Sequence, residues 1–111
     1  MDAWEYADVE AAHALGGRLY HEFLRVPDLS AGIYVLDAGA TDPQSPHTED
    51  ELYYVVTGRG AITVGDETRP VGPGSLVFVA AHVPHRFHEI TERLELLVLF
   101  GPAEGDRATT T

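Results

Sequence analysis

The sequence predicts an all-β fold, an antiparallel sandwich or barrel, preceded by one short helix. From Tyr20 onward, short β-branched and aromatic runs alternate with Gly, Pro and Asp at nearly even spacing, and no helical periodicity interrupts them. A Gly65-Asp66 pair between two of these runs is a hairpin signal. The runs are Tyr20 to Val26, Gly32 to Asp37, Glu51 to Thr57, Gly60 to Val64, Glu67 to Val71, Ser75 to Val79, His85 to Ile90 and Leu94 to Phe100. Eight strands without intervening helices exclude a parallel sheet.

Ahead of the strands, Val9 to Leu15 is rich in helix formers, with Asp8 placed as N-cap and Gly16 as stop. Behind them, Gly101 to Thr111 reads as a frayed tail without a functional part. The run Leu94 to Phe100 is apolar on both faces over its last residues, so an N-terminal strand, the other sheet or a second subunit must cover its second face. In so short a chain a homodimer is the expected cover.

With 111 residues the chain makes one domain, 1–111, whose core spans about 20–100. No apolar run approaches the ~20 residues of a membrane span, and the N-terminus lacks a basic start followed by an apolar stretch, so a cytoplasmic location is expected. The absence of cysteine excludes disulfides, thiolate nucleophiles, iron–sulfur clusters and sulfur-ligated zinc. All seven basic residues are Arg, which excludes a Schiff-base lysine. Eighteen acids give a net charge of -11, which repels a phosphate backbone, so no nucleic-acid partner is expected. Chemistry is left to six His, the carboxylates, the hydroxyls and any metal they hold.

Three residues stand out once strand periodicity is imposed. His47 and Glu51 are four apart and share a side of an extended segment. Glu51 then shares its face with Tyr53, Val55 and Thr57, an acid at the mouth of an apolar interior that needs a cation or strong hydrogen bonds. His85 opens a later strand, with Phe87 and Glu89 on its face and Arg86 and His88 on the other. Two imidazoles and a carboxylate are the ligand set of an open non-haem metal site. On the same parity, Glu89 and Tyr53 are the candidates for proton transfer, against the plainer reading of Tyr53 as packing. Glu49 and Asp50 are expected in solvent, His88 faces outward, His82 either caps a loop or lines the barrel mouth, and His13 and His21 have surface or packing roles.

Two motifs resemble those of the cupins, small double-stranded β-helix (jelly-roll) barrels. His47-Thr-Glu-Asp-Glu51-Leu-Tyr-Tyr-Val-Val-Thr-Gly58 resembles the pattern H-x-H-x(3,4)-E-x6-G. Gly74-Ser-Leu-Val-Phe-Val-Ala-Ala-His-Val-Pro-His85 resembles G-x5-P-x-G-x2-H. The resemblance spans Gly39 to Phe100 and departs from the pattern at four places: Ser45 for the first His, Ala80 for Pro, His82 for Gly and Glu89 for Asn. It implies a site reduced to His47, Glu51 and His85, with a divalent Fe, Mn, Ni or Zn and open positions for water or a small molecule.

Two functions follow as expectations. One is an enzyme acting on a small oxygenated substrate, dioxygenase-like with Fe(II) or a Lewis-acid isomerase or lyase with another metal. The other is a non-catalytic small-molecule binding or sensing module, with or without metal.

Overall fold

The computed structural model describes residues 1–43 and 46–105. It has one helix, α1 (Tyr6–Gly16), and six strands: β1 (Tyr20–Val26), β2 (Leu29–Leu36), β3 (Asp50–Val64), β4 (Glu67–Val71), β5 (Leu76–Val79) and β6 (His85–Gly101). All pairings are antiparallel, in the order β1-β2-β6-β3-β4 with β5 also on β3. Because β5 pairs with residues 51–54 of β3 and β4 with residues 60–64, the sheet folds into two leaves that share the long strands β3 and β6. Their facing side chains form a jelly-roll core that includes Tyr53, Val55, Ile62, Phe87, Leu94, Leu96 and Phe100. Among the described residues no helix is long and apolar enough to cross a membrane.

Four of the eight expected strands are halves of two. The segments 51–57 and 60–64 join in β3, and 85–90 and 94–100 join in β6. The sequence shows a break because both strands bend sharply while keeping their hydrogen bonds, through register shifts between Val55 and Ala61. Gly58 is the corner: its φ is +97° and its Cα faces the Arg93 backbone, where a Cβ would overlap the Arg93 carbonyl oxygen. Gly32 has a different duty, since the Tyr20 ring occupies the place its side chain would take.

The Gly65-Asp66 hairpin is as expected, with Val64 opposite Glu67 and Gly65 at φ +60°. The helix is longer than expected. Glu5, not Asp8, precedes it, and Gly17, at φ +67°, stops it in place of Gly16 by donating its N–H to the His13 carbonyl. Val9 of this helix packs on Ile33 and Val35, and its Tyr6 hydroxyl donates to Glu95 at 2.8 Å. So α1 covers the outer face of β2, and with it the polar position in the apolar run of β6. The adjoining outer face is bare: Leu52, Tyr54, Leu76 and Phe78 are all exposed.

The tail also departs from expectation. Residues 101–105 are not frayed: Gly101 ends β6, and Ala103 is fully buried with its N–H on the Pro27 carbonyl. The rest of the expected tail, 106–111, lies outside the described residues.

Candidate metal centre

β3 and β6 bring the expected residues together. Glu51 sits one residue inside β3, and His85 is the first residue of β6, paired with Val64 next to the Gly65-Asp66 hairpin. His47 lies three residues ahead of β3 and is not in a strand, so its inward direction comes from loop contacts rather than strand alternation. The His82 N–H donates to the His47 carbonyl at 2.7 Å, and Asp50 Oδ1 accepts the Ala81 N–H at 2.9 Å. These two bonds stitch the loops that carry the two imidazoles. His82 is exposed and holds φ +69°, the left-handed conformation that favours glycine, in the position where the resemblance expects one.

One ligand atom from each of His47, Glu51 and His85 lies within 4.8 Å of the other two. His85 Nδ1 lies 3.0 Å from the Val83 carbonyl, which assigns the ring proton to Nδ1 and leaves the Nε2 lone pair to the site. Nε2 is 3.1 Å from the Tyr53 hydroxyl and 3.0 Å from Glu51 Oε1. That last approach lacks hydrogen-bond geometry: both Glu51 oxygens are buried without a hydrogen-bond partner among the described residues. A carboxylate so placed costs several kcal/mol unless a cation meets it. Burial opposes a charged His85, yet the Glu51 carboxylate, the Val83 carbonyl and Asp42 outweigh it and raise its pKa above the ordinary value. The space between Nε2 and Glu51 therefore attracts positive charge, and two imidazoles and a carboxylate fit a divalent transition metal.

Tyr53 lies inside the barrel, completely buried against this centre. Glu89 does not. Its parity with His85 fails because β6 runs four residues, from His88 to Glu92, while β3 runs two, and Glu89 takes φ +49° within that bulge. Its side chain is exposed on the outer face, 3.2 Å from His88 Nδ1, and Ile90 takes the inward place. His88 itself bonds Thr63 Oγ1 at 2.7 Å on that outer face. Ser45 lies outside the described residues.

Sequence reasoning missed several polar groups here. Asp42 is buried and accepts both the Tyr34 hydroxyl, at 2.6 Å, and the Phe87 N–H, at 2.9 Å, bracing the wall behind His85. Glu49, expected in solvent, is buried and bonded to the Thr48 hydroxyl and the Gly105 N–H. Asp50, also expected in solvent, holds a loop through the Ala81 N–H. Glu104, in the supposed tail, has Oε2 3.6 Å from His47 Nδ1. Tyr20 has a buried hydroxyl with no hydrogen-bond partner among the described residues. Tyr20, Tyr34, His47, Val98, Phe100 and Glu104 line a cavity of about 110 Å³ beside the centre. The polar members carry no local motif, so only the fold could reveal them.

The family model for the cupin domain matches residues 32–100. The chain belongs to the cupin family. This cupin is 51% identical over 104 residues to the uncharacterized protein SCO3923 of Streptomyces coelicolor, covering 94% of this chain and 99% of that protein. Among solved structures, KdgF from Halomonas sp. is similar with a TM-score of 0.68 and 26% identity, over 75% of this chain and 76% of that one. TT1209 from Thermus thermophilus reaches a TM-score of 0.72 at 21% identity, over 93% and 99% of the two chains, a likeness of fold.

Proposed function

We propose that this cupin is a divalent-metal-dependent enzyme acting on a small, uncharged oxygenated molecule. The observation that carries the reading is the Glu51 carboxylate, buried between two imidazoles, 3.0 Å from His85 Nε2 and without a hydrogen-bond partner among the described residues. His47, Glu51 and His85 would hold the metal, which when bound supplies Lewis acidity or, as Fe(II), oxygen activation of the dioxygenase kind; an isomerase or lyase reaction suits the Lewis-acid case. The protein's own groups do the rest. Val83 fixes the His85 ring, and the Tyr53 hydroxyl sits where it can hold a proton beside Nε2. Burial and the nearby Glu104, Glu22 and Glu51 raise the Tyr20 pKa well above the ordinary phenol range, so its hydroxyl, without a partner among the described residues, remains a donor for a substrate oxygen.

Size and charge limit what can bind. A cavity of about 110 Å³ admits only a small molecule, and Phe100 and Val98 give it an apolar wall. Burial, joined by the neighbouring carboxylates Glu22, Glu51 and Glu49, raises the Glu104 pKa above the carboxylate norm despite His47, and the four acids make the surroundings negative. That field welcomes a cation and disfavours a carboxylate or phosphate substrate. The test is metal per chain on tag-free protein purified without chelator, followed by assay of small neutral hydroxy and oxo compounds with and without oxygen. About one equivalent of metal with turnover is expected. No metal after anaerobic reconstitution would overturn the reading, and saturable ligand binding without turnover would make the protein a binding or sensing module.

We further propose that the bare outer face pairs with a second copy in a homodimer. Leu52 lies opposite Phe78 and Tyr54 opposite Leu76, and β6 adds the half-buried Leu97 and Leu99 to a row without charge. In a chain of net charge -11, an uncharged row is where like copies can meet. The four exposed residues are 38%, 39%, 62% and 61% accessible, roughly 400 Å² of apolar surface at ~200 Å² per side chain and half of the ~800 Å² a stable partner buries. Sedimentation should give twice the chain mass for the native protein and one chain mass for Phe78→Glu; a native monomer would refute the dimer.

A further inference from the structure

Beyond β6 the chain turns back over the barrel mouth and is tied there residue by residue. The N–H groups of Ala103, Glu104 and Gly105 donate to the Pro27 carbonyl (3.2 Å), Ser30 Oγ (2.8 Å) and Glu49 Oε1 (2.9 Å). The Glu104 carbonyl accepts from the Arg25 guanidinium. Ser30 and Glu49 are themselves buried, so these tethers are fixed points of the core rather than surface contacts. The strap lies beyond residues 32–100 that match the family model. What it delivers is one side chain, Glu104, whose carboxylate stands half-buried beside the His47 ring.

We propose that Glu104 is a positioning residue for His47: its carboxylate accepts the Nδ1 proton and so commits the Nε2 lone pair to the metal. The inference rests on the reading of His47 as a metal ligand. Glu104 Oε2 is 3.6 Å from His47 Nδ1, within reach of a hydrogen bond after a small side-chain adjustment. Glu104 is outside the set of donors that lie within 4.8 Å of one another, so it backs His47 rather than joining the ligand shell. A ligating imidazole needs such an acceptor, because its two nitrogens compete for one proton and the wrong tautomer presents an N–H to the metal. For His85 the Val83 carbonyl does this duty from two residues away. His47 sits in a loop, and the strap brings its acceptor from 57 positions further along the chain.

The experiment uses the full chain as native protein, Glu104→Ala and Glu104→Gln. Cobalt(II) affinity is measured by chelator competition, with the visible cobalt spectrum, and the His47 ring tautomer is read by nitrogen-15 NMR in metal-free protein. Glu104→Ala should weaken cobalt binding about 10- to 100-fold and shift His47 away from the Nδ1–H tautomer. Glu104→Gln, whose amide oxygen still accepts, should restore most of both. Native affinity and an unchanged tautomer in Glu104→Ala would overturn the proposal. So would equal losses in Glu104→Gln, since bulk negative charge rather than an acceptor would then be responsible. If the native protein takes up no cobalt, the metal reading fails separately, and the tautomer still decides for or against Glu104.

Discussion

Replacing His47 or His85 with Ala should take bound metal from about one equivalent to a trace, with the barrel still folded. Structural sites of three or four ligands gain on the order of 10 to 16 kcal/mol from the metal, so each ligand carries about two to four orders of magnitude in affinity. The losses should be unequal in their side effects. His47 is partly exposed and lies in a loop, so its removal should scarcely change the thermal midpoint. His85 is buried between Tyr53, Glu51 and the Val83 carbonyl, so its loss leaves a cavity and should cost about 2 kcal/mol as well. His88→Ala is the control: this imidazole sits on the outer face against Thr63 and Glu89, and metal content should be native. Unchanged metal in both the His47 and His85 variants would refute the site.

Gly58→Val should be the most damaging substitution outside the site, costing about 4 kcal/mol or more. Two effects add. The residue must adopt φ +97°, which a β-branched residue resists, and its Cβ would overlap the Arg93 carbonyl oxygen and crowd Leu94 Cα, both backbone atoms that cannot step aside. The turn glycine Gly74 separates them. Its φ is +89° but nothing lies within 4 Å of a Cβ there, so Gly74→Ala should cost only about 1–2 kcal/mol. Urea denaturation of the two variants reads the difference. Similar midpoints would mean that the close approach of β3 and β6 at Gly58 is not what holds the bend.

Much of this was legible in the sequence. The Gly65-Asp66 pair specified its hairpin because a two-residue turn is set by local conformation alone. His47, Glu51 and His85 could be read together because apolar surroundings make a polar inward residue conspicuous. Glu89 misled because strand parity holds only while the pleat is regular, and a bulge in β6 resets it. The same limitation split β3 and β6 in two, since a glycine corner inside a strand and a glycine loop between strands look alike in sequence.

Local chemistry, then, determined most strand positions, the Gly65-Asp66 turn, the strongly acidic charge and the three candidate ligands. Tertiary structure decided the remainder: that Asp42 and Glu49 are buried braces, that the buried Tyr20 hydroxyl has no partner among the described residues, and that a strap from the end of β6 sets Glu104 against His47. These groups come from β1, the loop between β2 and β3, and the strap, which are distant in sequence. Their roles exist only after the barrel closes, because a carboxylate's partner is fixed by where chain segments meet and leaves no spacing to read beforehand.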